Sequence, residues 1–191
     1  MQTNPETSSH SENASTMGDT AENRNLVKFL VVSSVCFFIG TVHGVLQVTR
    51  PVRAWLDSIG SPYGGPGHLI DPLAHAHINV VGGVVIFLMG ASYYLLPKMG
   101  GVSIYSKRLV EHTFWWTSLG IAGFYSTLMT FGILEGRALL EDPNLVDDIH
   151  RYYGPTIGVV STVMGIGFWV YFANIFMTAR KIRKLPSNKT T

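Results

Sequence analysis

Four long apolar blocks constrain the fold of this chain more than any other feature of its sequence. They run over about residues 26–48, 73–97, 114–134 and 154–177. Each is close to the ~20 residues that an α-helix needs to cross a hydrocarbon core of about 30 Å, and none shows the period-2 alternation of a membrane barrel. Only 14% of the residues are charged, against roughly 25% in soluble domains. We therefore expect an all-α, integral membrane four-helix bundle.

The composition divides the chain into one membrane domain and two short tails. Residues 1–24 are rich in Ser, Thr, Asn and Glu, which predicts a disordered polar N-terminal tail. Residues 25–185 form the four-helix transmembrane domain, and residues 186–191 form a short tail. The one cysteine, Cys36, lies in the first apolar block. It excludes an internal disulfide and a thiolate metal cluster.

The distribution of charge predicts the orientation in the membrane. Basic residues follow the second and fourth apolar blocks, at 98–108 and 180–184, whereas residues 135–153 are acidic on balance. Positive residues stay in the cytoplasm, so we expect a multi-pass protein of the cell inner (plasma) membrane with both termini cytoplasmic. Arg53, in the first outward loop, opposes the rule slightly. The basic segment suits a lipid bilayer surface, and nothing indicates a nucleic-acid partner.

A histidine pair, His75-Ala76-His77, stands at the start of the second apolar block. Histidines at i and i+2 of a helix point roughly 200° apart, so they do not share one ion as an i, i+4 pair does. They can hold two flat cofactors, one on each face. Imidazole is the usual axial ligand of haem iron, and an ionisable side chain inside a membrane is a functional hypothesis by default. The pair therefore predicts a helix between two haems.

Other interpretations of the histidines stay open at this point. The pair could anchor the helix at the membrane interface, although that explains one histidine better than two. His43 lies among apolar residues and could hydrogen-bond a carbonyl or act as a ligand. A small copper-binding membrane protein would use His43, His68 and His75.

The stretch from Ala74-His75-Ala76-His77 to Tyr93-Tyr94-Leu95-Leu96-Pro97 resembles the tenth helix of subunit I of the haem-copper oxidases. The cbb3-type cytochrome c oxidases and the nitric oxide reductases are the most similar branches. Residues 114–121 resemble the eleventh helix of the same subunit, and His150-Arg151-Tyr152-Tyr153 resembles the entry to the last core helix. The resemblance covers about residues 30–178. It implies a bundle like the last four core helices of that subunit.

The resemblance also implies roles for individual residues. His75 matches the proximal ligand of the high-spin haem, and His77 matches an axial ligand of the low-spin haem. Arg137 falls where the family places arginines near haem propionates. The remaining ligands of the haems and of the second metal come from helices that this sequence does not contain. His43 is the one buried candidate for a replacement axial ligand, and the family pattern does not assign it that role.

These observations predict a haem-binding membrane redox protein. It would be a component of a respiratory electron-transfer complex, like subunit I of cytochrome c oxidase or nitric oxide reductase. One or two haem b groups are expected, copper is not expected from this chain alone, and four helices would not form the binuclear centre. Whether the chain belongs to an enzyme stays open. Other membrane subunits or a second copy would supply the missing ligands. A non-catalytic assembly or sensor protein that retains the fold is the alternative.

Overall fold

The computed structural model describes residues 5–184, with side chains from Arg24 onward. This range is helical almost throughout and contains no strand. Four helices are long and apolar enough to cross a membrane, and a short helix follows the first. These findings confirm the predicted all-α four-helix membrane bundle. The helices are α1 (Pro5–Val48), α2 (Arg50–Ser58), α3 (Gly65–Gly100), α4 (Lys107–Glu141) and α5 (Leu145–Arg183).

The helices extend well beyond the apolar blocks. The acidic segment 135–153, which lies between the third and fourth apolar blocks, is helical except for the three residues between α4 and α5. A helix can continue beyond the membrane with polar side chains, because its backbone hydrogen bonds are made within the helix. An apolar block therefore indicates the part of a helix that lies in the membrane and does not indicate where the helix ends. The backbone of α1 is already helical from Pro5, whereas composition predicts a disordered tail over residues 1–24. The tail at 186–191 lies outside the described residues.

The second spanning helix, α3, is irregular along its first half. Asp71 has extended backbone angles (φ −132°, ψ 109°) and kinks the helix. Wide π-helical turns occupy Leu69–Ala74 and Ile78–Val85 on either side of the histidine pair. Ser33 of α1 donates a hydrogen bond to the carbonyl oxygen of Gly83 at 2.7 Å. The kink therefore separates a short entry segment from the membrane-crossing part of α3.

Small residues bring α1 and α3 into close contact. A Cβ atom at Gly82 would lie 2.7 Å from Cys36 Sγ, and one at Gly90 would lie 2.7 Å from Phe29 Cβ. The small residues of α3 thus serve helix packing, as they commonly do in membranes. Phe29 is fully buried and meets the ring of Phe114 of α4 edge-on, with centroids 5.1 Å apart. This contact joins three helices in one core.

Two side chains of α5 hold the loop between α3 and α4. Asn174 is fully buried; its Oδ1 accepts from Ser106 N at 3.1 Å, and its Nδ2 donates to Ser106 O at 3.0 Å. One turn later, Thr178 Oγ1 accepts from Tyr105 N at 3.0 Å. Loop backbone groups at a membrane boundary need such partners, because little water reaches them. We call this end of the bundle the loop end.

Helices α4 and α5 approach each other to backbone contact. A Cβ atom at Gly120 would lie 2.4 Å from Met164 Cα, and one at Gly167 would lie 2.7 Å from Thr117 N. By contrast, a Cβ atom at Gly158 of α5 would meet nothing within 4 Å. One face of α5 therefore packs tightly on α4, and the opposite face is open.

At the other end of the bundle, α2 and the entry of α3 cover α4. We call it the α2 end. Leu56, Ile59 and Ile70 are buried there together. A Cβ atom at Gly132 of α4 would lie 2.5 Å from Ile70 Cγ1. The kinked entry to the histidine pair is thus fixed against α4 by apolar packing.

Candidate functional site

The rings of His75 and His77 face different helices. The His75 ring lies against α1: its centroid is 5.4 Å from that of His43, and a Cβ atom at Gly44 would lie 2.9 Å from His75 Cε1. The His77 ring lies against Phe124 of α4, with centroids 4.6 Å apart and planes tilted by 36°. This divergence agrees with the direction expected from the i, i+2 spacing.

A hydrogen bond within α3 determines the orientation and the tautomer of the His77 ring. Nδ1 lies 2.8 Å from the carbonyl oxygen of Leu73, one turn earlier. A carbonyl only accepts, so Nδ1 carries a proton, and in the neutral imidazole Nε2 then keeps a lone pair. Histidines that bind metals usually donate their other ring N–H to a carbonyl or carboxylate in this way. The half-buried His77 ring therefore suits an axial ligand of a haem iron.

The His75 ring has a more restricted environment. The Nδ2 of Asn79 donates to the carbonyl oxygen of His75 at 2.9 Å. On the other side, Gly44 approaches the ring so closely that no porphyrin fits between α1 and α3 at this level. A cofactor bound to His75 would have to lie on the side that α1 leaves open.

His43 makes a polar contact across to α4. It is only 7% exposed, and Tyr125 Oη lies 3.3 Å from its Nδ1. Its Nε2 is buried without a hydrogen-bond partner. The rings of His43 and His75 meet edge-on at 84°. Because the rings are in direct contact, these two histidines do not hold a porphyrin between them.

The copper site considered from the sequence is not formed. Among the described residues, no three histidine, cysteine or acidic side chains come together to hold a metal ion. His68 Nδ1 instead lies 2.6 Å from the carbonyl oxygen of Pro62, in the segment before α3. The structure therefore does not support the alternative of a copper site built from His43, His68 and His75. The local fold of the 61–67 segment holds His68 apart from the other two.

Arg137 lies on α4 and not in a loop. Its side chain is 65% exposed and forms an i, i+4 ion pair with Glu141 at 3.5 Å. It stands thirteen residues beyond Phe124, which is about 20 Å along the helix axis. The expected contact of Arg137 with a haem propionate stays a prediction.

His150 is on α5 and pairs with Glu135 of α4. Its Nδ1 lies 3.0 Å from Glu135 Oε1, and the Glu135 side chain is 5% exposed. A buried carboxylate needs such a partner. The contact ties the α2 end of α5 to α4.

Arg53 at the α2 end was not identified as a site residue from the sequence. Its Nη1 donates to Asp71 Oδ2 at 2.6 Å, its Nη2 to Ser61 Oγ at 2.8 Å and its Nε to Asp57 Oδ1 at 2.9 Å. Hydrogen bonds to Asp57 and then to Asp71 raise the pKa of the guanidinium. Arg53 thereby holds the kink from which the helix of His75 starts. The i, i+4 spacing of Arg53 and Asp57 is the sequence signal that could have indicated it.

We expect Arg53→Leu to lower the free energy of unfolding by about 1.5–3 kcal/mol, the range for hydrogen bonds to charged groups. The Asp71 side chain is 13% exposed and would lose its cation. Thermal unfolding in detergent measures the effect, with Arg50→Leu at the exposed start of α2 as the control. The double variant Arg53→Leu/Asp71→Leu should recover part of the loss. If the stability loss of the double variant equalled the sum of the losses of the two single variants, Arg53 and Asp71 would not be energetically coupled.

Comparison with known proteins shows which family the chain resembles. A family model described as "Cytochrome C and Quinol oxidase polypeptide I" matches residues 13–170. The cbb3-type cytochrome c oxidase subunit CcoN1 of Stutzerimonas stutzeri is 27% identical over 125 residues, which are 63% of this chain and 24% of that protein. Cytochrome c oxidase subunit 1 of Bacillus sp. (strain PS3) is 31% identical over 121 residues, 61% of this chain and 18% of that protein.

The fold is also similar to a solved structure. A heme-copper terminal oxidase dimer determined by cryo-EM has a TM-score of 0.65 and 22% identity; the match covers 84% of this chain and 27% of that one. The chain thus spans about a quarter or less of the length of the curated relatives given above. The family model nevertheless covers most of it. The chain belongs to the cytochrome c and quinol oxidase polypeptide I family.

Proposed function

We propose that this chain is a haem-binding component of a respiratory electron-transfer complex in the inner membrane, with His77 as an axial ligand of a low-spin haem b. The observation that carries the proposal is the hydrogen bond from His77 Nδ1 to Leu73 O at 2.8 Å. It holds the ring in the tautomer in which Nε2 can bind iron. When bound, haem supplies one-electron transfer.

His77 would act by orienting the cofactor. Phe124 fixes the ring from the α4 side, and the carbonyl of Leu73 prevents it from turning. A rigid imidazole keeps the iron at a constant position and favours fast electron transfer. For His75, the resemblance implies a second haem, which would lie on the side of the ring that α1 leaves open.

The remaining ligands would come from other membrane subunits or from a second copy. The chain corresponds to a quarter or less of each of the two relatives described above. We place both termini in the cytoplasm. Lys98 and Lys107 at the loop end, together with the basic residues at the end of α5, support this orientation.

The test is the haem content and spectrum of the purified protein, expressed with haem supply. We expect Soret absorbance from the wild type and a reduced-minus-oxidised difference spectrum of a low-spin haem b. His77→Ala should lower haem occupancy roughly tenfold or more, since even the loss of a partner that supports a ligand costs 10–100-fold. His68→Ala is the matched control, because its ring is held by a loop carbonyl.

His75→Ala distinguishes the contribution of each haem to the spectrum. It should leave the low-spin spectrum in place and remove only a second haem where one is bound. A wild-type protein without Soret absorbance would contradict the proposal. Unchanged spectra in both histidine variants would do so as well and would favour the non-catalytic assembly or sensor protein.

A further inference from the structure

An apolar groove lies between α1 and α3, near the loop end of the bundle. Its volume is about 430 Å³. It is lined by three residues of α1 and five of α3: Leu26, Val27, Leu30, Phe87, Gly90, Ala91, Tyr94 and Leu95. Four of these side chains, two on each helix, are 44–50% exposed. The groove is therefore open to the hydrocarbon tails of the bilayer.

The length and volume of the groove suit one acyl chain. Phe87 and Leu95 are eight residues apart, which is about 12 Å along the axis of α3. One half of the hydrocarbon layer is about 15 Å thick. A dry cavity of about 150 Å³ holds one benzene molecule, so a groove of about 430 Å³ holds a much larger hydrocarbon segment.

A lysine stands where the groove reaches the membrane boundary. Lys98 follows the apolar part of α3 and lies one turn after Tyr94, on the same face of the helix. Its Nζ donates to Tyr94 Oη at 2.6 Å and lies 4.2 Å from the centre of the Tyr94 ring. An ammonium group has three donors, and Tyr94 uses one of them. The remaining donors and the positive charge are available at the mouth of the groove.

No carboxylate neutralises this lysine among the residues whose side chains the structure describes. Glu111, which lies at the same end of the bundle, is paired with Lys28. Of the described residues that line the groove, none is acidic. The exposed Arg24, one turn before Val27 of α1, adds a second positive charge at this end. An apolar groove with cations at its mouth is complementary to a lipid with a negative headgroup.

We propose that this groove binds an anionic phospholipid, with one acyl chain between α1 and α3 and the phosphate beside Lys98. The ammonium donates a charge-assisted hydrogen bond to a phosphate oxygen, and the chain runs from there towards Phe87. Lipid binding here is independent of the proposed haem site, because the described residues that line the groove include no histidine.

Photolabelling in nanodiscs tests the site. The full chain is placed in nanodiscs of phosphatidylcholine, and a phosphatidylglycerol with a diazirine in the middle of one acyl chain is added in trace amounts. We expect saturable labelling of residues 26–30 and 87–95, mapped by mass spectrometry of peptides. Unlabelled phosphatidylglycerol should compete, whereas additional phosphatidylcholine with the same acyl chains should not.

Lys98→Gln tests the role of the ammonium group. It removes the positive charge and keeps a polar side chain on the same exposed face. Labelling by the phosphatidylglycerol probe should fall about fivefold, which is the effect of one basic residue on attraction to anionic lipid. Lys184→Gln, the same substitution at an exposed position that follows α5 at the loop end, is the matched control and should leave labelling unchanged.

Ala91→Leu tests the position of the acyl chain. The larger side chain fills part of the groove and leaves Lys98 in place, so labelling of residues 26–30 and 87–95 should be lost. The midpoint of thermal unfolding in detergent shows that the variant is folded.

Several results would overturn the proposal. Equal labelling of Lys98→Gln and wild type would show that the ammonium does not select the lipid. Competition by phosphatidylcholine as strong as that by phosphatidylglycerol would assign the groove to bulk lipid without regard to charge. Absence of saturable labelling, or undiminished labelling of a folded Ala91→Leu variant, would place the acyl chain outside the groove.

Discussion

Gly120→Val is expected to separate α4 from α5 and to lower the free energy of unfolding by about 3 kcal/mol or more. A Cβ atom at this position would lie 2.4 Å from the Cα atom of Met164. The obstacle is backbone and not the tip of a flexible side chain, so the helices must move apart. Overpacking in a well-packed core costs about 1–3 kcal/mol where side chains can adjust, and here they cannot. The midpoint of thermal unfolding in detergent measures the loss.

Gly158→Val is the matched control for this experiment, since it makes the same substitution in a spanning helix. Nothing lies within 4 Å of a Cβ atom there, and the expected change is within about 0.5 kcal/mol. Gly167→Val should resemble Gly120→Val, because its Cβ atom would meet the backbone of Thr117. Equal stability of Gly120→Val and Gly158→Val would disprove the close approach of α4 and α5.

Asn174→Leu is expected to lower the free energy of unfolding by about 2–4 kcal/mol. The substitution preserves volume but leaves the N–H of Ser106 without the partner it has at 3.1 Å, and it removes one of the two hydrogen bonds that the Ser106 carbonyl accepts, the other coming from Val110 N. An N–H without a partner costs about 1–3 kcal/mol, and a lost hydrogen bond about 0.5–1.5 kcal/mol. Hydrogen–deuterium exchange of the loop between α3 and α4 should rise in parallel with the loss of stability.

Asn144→Leu, at the exposed start of α5, controls for the loss of an asparagine. Its side chain makes only a local contact with Asp142, so we expect a cost below about 1 kcal/mol. If the two asparagine variants lost the same stability, the two contacts to Ser106 would not anchor the loop.

The spans and the divergence of the histidine pair could be predicted because they depend on local periodicity. Apolar blocks of about 20 residues identify crossings, and the i, i+2 spacing fixes the angle between His75 and His77. The position of Arg137 could not be predicted by hydropathy, which ends the helix before it. Internal hydrogen bonds continue α4 past Leu134, the end of the apolar block, so Arg137 lies on the helix.

Contacts between segments far apart in the chain could not be predicted from the sequence, for a different reason. Tyr125 and His43 are 82 positions apart, and no spacing rule connects them. The contact of His75 with Gly44 likewise depends on the crossing of α1 and α3. Whether a ring nitrogen meets a hydroxyl, a backbone or open space is decided by helix packing. The copper-site alternative required such a convergence, and three histidines near one end of a bundle need not converge.

The lengths of α4 and α5 have a practical consequence. With 35 and 39 residues, they measure about 52 and 58 Å at 1.5 Å per residue, whereas the hydrocarbon layer is about 30 Å thick. The turn Asp142–Asn144 connects the ends of these two long helices, and we therefore expect it to lie outside the hydrocarbon layer. A fluorophore or an antibody epitope inserted there would report sidedness and assembly from outside the bilayer without disturbing the histidines.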